Sequence, residues 1–136
     1  MLHREAQIAI HSCSHRQMRA FWFYHYFPKG FEVDLRQIPD SVEISSLLER
    51  MGFSNVGIEI CYLDVGVAHE TPERYLDKNY RDGISTFTLL TKDDIELGCE
   101  KLQEDIASGA IESIVRQYEA KVATVGGSSI IYGGKN

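Results

Sequence analysis

In the stretch HSCSH, residues 11–15, His11, Cys13 and His15 alternate. Side chains of these types could hold a transition metal, or pair a thiol nucleophile with an imidazole base. The stretch follows the apolar run Ile8, Ala9, Ile10, where a buried strand would end. On an extended strand, same-face side chains stand roughly 6 to 7 Å apart, given about 3.3 Å of rise per residue. Zinc ligands must converge at about 2.0 to 2.3 Å from one ion, so three in a row cannot reach it without a bend. No carboxylate nearby in sequence would orient a base toward Cys13, and nothing predicts a lowered thiol pKa. The expectation is no metal site and no thiol chemistry. The stretch reads instead as the carboxyl end of a sheet strand running into a helix cap, the place where open α/β sheets bind ligands.

Other reactive side chains divide in the same way. In AFWFYHYF, helical spacing makes Phe21, Trp22 and Tyr26 core, and leaves Tyr24 and His25 as pocket residues. Asp93, Asp94, Glu96, Glu100, Glu104 and Asp105, interspersed with Lys92 and Lys101, form a solvated helix face. Tyr80, Arg81 and Asp82 fall at a turn between helices.

The elements that must position these residues begin with a strand over residues 7–13, followed by a helix over 15–26 that Ser14 caps and that ends before Pro28. Asp40 and Glu43 form a D-x-x-E capping box for a helix carrying Val42, Ile44, Leu47, Leu48 and Met51, which stops at Gly52. A strand over residues 55–62 follows, with Val56, Ile58, Ile60 and Tyr62 alternating with Gly57, Glu59 and Cys61. Thr71 and Pro72 start a short helix, the Thr hydroxyl capping it. A Gly83 turn comes next, then a long amphipathic helix over 91–108 with Ile95, Leu97, Cys99, Leu102 and Ile106 on its apolar side. Gly109 stops it. IESIVRQYEAKVA makes another helix, and a last strand over 128–132 lies between two glycine pairs.

With 136 residues, 43% of them hydrophobic, the chain is long enough for one domain with a core of its own. Its 20 acidic residues outnumber 14 basic ones, which argues against a nucleic-acid or anionic-membrane surface, because phosphate binding needs clustered Lys and Arg. Three cysteines without a CxxC pair imply neither disulfide framework nor zinc ribbon, and a reducing cytoplasm is the simplest home. The longest apolar and aromatic run is too short to span a bilayer.

The strings SHRQMRAFWFYHYFPK, LLERMGFSNV, DGISTFTLLTKDDIELGCEKLQEDI and VGGSSIIYGGK, in this order, resemble the C-terminal half of class I S-adenosylmethionine-dependent methyltransferases over nearly the whole chain. The resemblance implies an α/β, Rossmann-like partial fold with residues 7–13, 55–62 and 128–132 as strands 5, 6 and 7. Their spatial order would be 5-7-6, the last strand antiparallel, with a helical insert or lid over residues 67–108. It implies an acceptor-side part of the enzyme, with Ser14, His15 and Arg16 at the strand end and Tyr80 and Arg81 from the insert around a small-molecule methyl acceptor. The family's glycine-rich turn after strand 1 and the acidic residue after strand 2 have no counterpart here. The isolated chain is therefore expected to be inactive and to bind no S-adenosylmethionine. The alternative is a non-catalytic fragment or subunit that docks with a separate chain. Without strand 4, residues 7–13 form a bare edge, and self-association or a partner is expected there.

Overall fold

A computed structural model describes residues 5–62 and 71–135. Three strands form one sheet: β1, Ala6–Ser12; β2, Ser54–Cys61; and β3, Ser128–Lys135. Their order is β1-β3-β2, and β3 runs antiparallel to both neighbours, so β1 and β2 point the same way. The last strand is longer than its apolar letters suggest. Gly133 and Gly134 lie inside it, opposite Ile8 and Gln7, and do not bracket it.

On one face of the sheet Ile10 and Ile58 flank Ile131, which is fully buried. Ile8, Ile10, Val56 and Ile131 pack with Leu48 and Ile44 of helix α4, Ser41–Arg50, and with Phe53. Helix α4 starts at the expected capping box, in which Asp40 and Glu43 each accept a backbone N–H at the helix start. The chain leaves it through Gly52, whose φ of +89° disfavours any residue with a Cβ. Val42 and Leu47 of this helix, and Met51 at its C-cap, stay exposed. The opposite sheet face carries the exposed Ala9, His11, Glu59 and Tyr132.

Residues 15–26 are not one helix. Helix α1, His15–Met18, and helix α2, Phe23–Tyr26, are separated by a tight turn in which Ala20 and Phe21 bond back to the carbonyls of Gln17 and Met18. The break has a packing reason: Gln17, Met18, Ala20, Trp22, Phe23, Tyr26 and Phe27 are all buried, round more of the circumference than one helical stripe could bury. Pro28 does not merely end a helix. It opens helix α3, Pro28–Gln37, because a proline at the first helical position sacrifices no hydrogen bond.

The insert between β2 and β3 holds a 3-10 turn, Pro72–Leu76, then α5, Lys78–Asp82, α6, Ser85–Thr88, and α7, Lys92–Ser108. Residues 67–70 of the expected insert lie outside the described residues. Asp77 splits the anticipated short helix by capping α5 through Asn79, while the Thr71 side chain makes no capping hydrogen bond. Helix α7 is capped by the Thr91 hydroxyl and stopped by Gly109 at a φ of +82°, after which α8, Ala110–Val125, leads back to the sheet. Together α2, the 3-10 turn, α6, α7 and α8 enclose a second core of Trp22, Phe23, Tyr26, Phe27, Tyr75, Phe87, Leu102 and Ile111. Leu97, assigned to that core from its letters, is 69% exposed. Its neighbour Gly98 is buried instead, so close to Phe27 and the Tyr26 carbonyl that a Cβ would collide with both.

The two cores meet at Gln17, which is 1% exposed. Its Oε1 accepts from the Ser14 N–H and the Ser129 hydroxyl, both at 2.9 Å, and its Nε2 donates to the carbonyls of Ser128 at 2.8 Å and Val125 at 3.2 Å.

Candidate functional site

The carboxyl ends of β1 and β2 and the start of β3 converge where Ser12 pairs with Ser129 and Cys61 with Ser128. The helical layer is attached at this end of the sheet. His11 Nε2 shares a hydrogen bond of 2.8 Å with the Ser128 hydroxyl, the Cys13 thiol donates to the Gly127 carbonyl at 3.4 Å, and His15 Nε2–H donates to the Ile38 carbonyl at 2.7 Å. Three different partners hold the three side chains apart. Among the described residues no group of His, Cys, Asp or Glu converges as a metal site requires.

Ser14 caps α1, with its hydroxyl accepting from the Gln17 N–H. The backbone N–H of His15 donates to Asp40, the residue that also caps α4, so His15 ties the start of α1 to the start of α4. Arg16 is exposed on α1. Tyr80 and Arg81 stand elsewhere. The Tyr80 ring meets Tyr75 edge-on at 5.3 Å, and the Arg81 guanidinium donates to the Tyr75 carbonyl at 2.7 Å. Arg81 lines a groove of about 590 Å³ with Lys78, Asp82, Phe87, Lys92 and Ile95 among its walls, and neither Ser14, His15 nor Arg16 reaches it. The five residues thus form two groups. In the Arg81 groove, Lys78 pairs with Asp82 and Lys92 with Glu96, both on exposed helix surface where such pairs contribute little.

Burial and hydrogen bonding hold several polar groups behind these surfaces. Asp34 of α3, 4% exposed, accepts from the Tyr24 hydroxyl at 2.6 Å and the Thr86 hydroxyl at 2.8 Å, fastening α2 and α6 to α3. Burial, and then the bond to Asp34, push the Tyr24 phenol far above its ordinary value. Tyr26 is pushed up likewise by burial and by its 2.7 Å bond to Asp105. Asp105 is therefore half-buried and engaged, unlike the solvated carboxylate its sequence context suggested. Burial also raises the Cys99 thiol, against a smaller opposing effect of Arg81. Asp34 and Gln17 escaped the sequence reading altogether. Their only signal is a polar residue one helical turn from the aromatic positions.

His25 shares a 3.3 Å hydrogen bond with the Tyr118 hydroxyl. Its imidazole titrates below the ordinary 6.5, first because burial disfavours the cation and second because Lys101 repels it, with Lys121 adding a smaller push and Asp105 opposing. The folded value lies below the unfolded one. His25 accordingly favours the fold above pH 6.5 and loses that contribution as the pH falls through the folded value. Lys101→Met should raise the His25 midpoint, read from its ring chemical shifts during a pH titration; an unmoved midpoint would contradict the repulsion.

No helix among the described residues is long and apolar enough to cross a membrane. No family model matches the sequence, and no curated protein matches it. A search of solved structures returns a candidate methyltransferase from an antibiotic biosynthesis pathway of Anabaena variabilis, with 27% sequence identity and a TM-score of 0.67. The match covers 93% of this chain and 54% of that one. The chain thus spans about half the length of the protein it resembles, and its fold is methyltransferase-like.

Proposed function

We propose that this chain is the acceptor-side part of an S-adenosylmethionine-dependent methyltransferase of class I, with β1, β3 and β2 in the places of strands 5, 7 and 6. The observation that carries the reading is a sheet whose middle strand is last in sequence and reversed, in a chain that matches a methyltransferase over 93% of its length. In such an enzyme the methyl group passes by in-line displacement, and the protein chiefly supplies orientation and an electrostatic setting. Ser14, His15, Gln17 and Asp40 would fix the end of β1 against α1 and α4.

The residues described here do not fit the cofactor itself. Its methionine and ribose need a glycine turn between a strand and a following helix, and a carboxylate beyond the next strand. Here β1 runs through Cys13 into the Ser14 cap without a glycine. The pair Gly126–Gly127 precedes β3: a Cβ on Gly126 would strike Ile60, and Gly127 N–H donates to the Cys61 carbonyl. That pair serves close approach to β2. We place cofactor binding on chain beyond these residues. Titration calorimetry of this chain with S-adenosylmethionine should give no saturable heat, and a one-to-one micromolar site would overturn the division of labour. A chimera carrying residues 6–135 in place of the matching part of the Anabaena protein should bind the cofactor. A cooperatively folded chimera that does not bind it would overturn the family reading.

A second reading, a subunit that docks on a separate chain, draws on the β1 edge. Among the described residues β1 pairs only with β3, and its outer edge has neither proline nor lysine. When the chain is alone, a second copy is the occupant proposed for that edge.

A further inference from the structure

Apart from the Arg81 groove, Arg19, Tyr24, Pro28, Phe31 and Tyr118 line a smaller cavity of about 200 Å³. It lies where the turn after α1, helix α2 and the start of α3 face the middle of α8. Tyr24 and Phe31 meet edge-on, with ring centroids 5.3 Å apart. The Tyr24 hydroxyl is held by Asp34, so this residue offers the cavity its ring. Tyr118 is held at its hydroxyl by His25, and Lys121 Nζ lies 4.4 Å from its ring centroid. The exposed Arg19 guanidinium stands 5.8 Å from the Phe31 ring. Among the described residues it has no carboxylate partner.

We propose that this cavity binds a small aromatic carboxylic acid, its ring packed among Tyr24, Phe31, Pro28 and Tyr118 and its carboxylate on Arg19. The walls are flat and apolar, which suits a planar ring. Among the described residues Arg19 has no carboxylate partner, and the fork of its guanidinium matches a carboxylate in two parallel hydrogen bonds. A cationic ligand would be repelled by Arg19 and Lys121, and a neutral one would leave the exposed Arg19 guanidinium to water and gain nothing from its charge. Size agrees as well: an apolar cavity of about 150 Å³ holds benzene, so this one has room for a single ring bearing a carboxylate. The proposed function enters only in making this acid the methyl acceptor, since the cavity follows α1 at the carboxyl end of β1.

Titrating the full chain with sodium benzoate, followed by the aromatic NMR signals, should give saturable shifts at Tyr24, Phe31 and Tyr118. Benzamide, the same shape without the charge, should bind at least about tenfold more weakly. Arg19→Gln, a change on exposed surface, should weaken benzoate by about that factor and leave benzamide unchanged, while Tyr118→Ala should weaken both. No saturable shift with benzoate, saturable shifts confined to other residues, or full benzoate affinity in Arg19→Gln would overturn the site. Loss of the site leaves the methyltransferase reading standing. Benzoate binding in the chain, together with a cofactor-binding chimera that transfers no methyl group to aromatic acids, removes only the acceptor role.

Discussion

Gln17→Leu should lower the free energy of unfolding by roughly 3 to 5 kcal/mol, because the leucine fills the space and satisfies none of the four groups around it. The Ser14 N–H and the Ser129 hydroxyl lose their acceptor, and the Ser128 and Val125 carbonyls lose their donor, all close to a residue only 1% exposed. Each buried polar group stripped of its partner costs about 1 to 3 kcal/mol, partly recovered where neighbours relax. Gln17→Glu should be worse, since a carboxylate oxygen would then face two carbonyls at the position of the amide nitrogen. Urea unfolding measures this, with an unchanged denaturant slope indicating a pure stability effect. Gln103→Leu, on the exposed side of α7, is the matched control and should change stability by less than about 0.5 kcal/mol. A Gln17→Leu loss within that same range would mean that the sheet and the helical layer are not joined through this amide.

Gln17 also marks where the sequence stops being legible. Local rules read well: Asp40 and Glu43 as a capping box, Gly52 and Gly109 as stops, and Thr91 as a cap each depend on residues within one turn of one another. The strands were legible too: Ile8, Ile10 and Ile58 alternate with small or polar neighbours, and the third shows in its apolar run Ile130, Ile131, though the glycines hid its extension to Lys135. Residues 15–37 were not. Burial of Gln17 and Ala20 as well as of the five large side chains between Met18 and Phe27 exceeds a single helical face, and the helices packed from the insert explain the break into α1 and α2. The exchange of Leu97 for Gly98 has the same origin. Periodicity favours the larger apolar residue, whereas contact with Phe27 and the Tyr26 carbonyl demands the smallest. Of the candidate site, Ser14 was legible as the cap of the helix that follows the strand, but the partners of His15, Asp40 and Ile38, lie some two dozen residues away and leave no local trace. Tyr24 lines a cavity, and its hydroxyl is tied to Asp34 in a helix that Pro28 concealed.

On the proposed pairing of two copies through β1, lysines at both Gln7 and Ala9 should shift the balance toward monomer by at least about tenfold. Among the described residues nothing pairs with the outer edge of β1, whose row of backbone groups suits another strand, and its sequence AQIAIHS contains no proline or lysine. Ile8 and Ile10 are poor places for a test, because both pack against the Leu48, Phe53 and Ile131 cluster, and a charge or proline there would damage the core as well. Gln7 and Ala9 are exposed, on the face shared with Tyr132 and Glu59, so lysines there leave the core alone. If two copies pair edge to edge, the introduced charges approach their counterparts across the new seam. Like charges facing each other there cost about 0.2 to 1 kcal/mol per pair, and tenfold requires about 1.4 kcal/mol from the four lysines together. Glu100→Lys, on the exposed side of α7, changes the net charge in the same direction without touching the edge and should leave association nearly unchanged. Sedimentation velocity over a range of concentrations separates the two. If the unaltered chain stays monomeric throughout, or Glu100→Lys dissociates it as well as the edge lysines do, then net charge or some other surface governs the behaviour and β1 is not the seam.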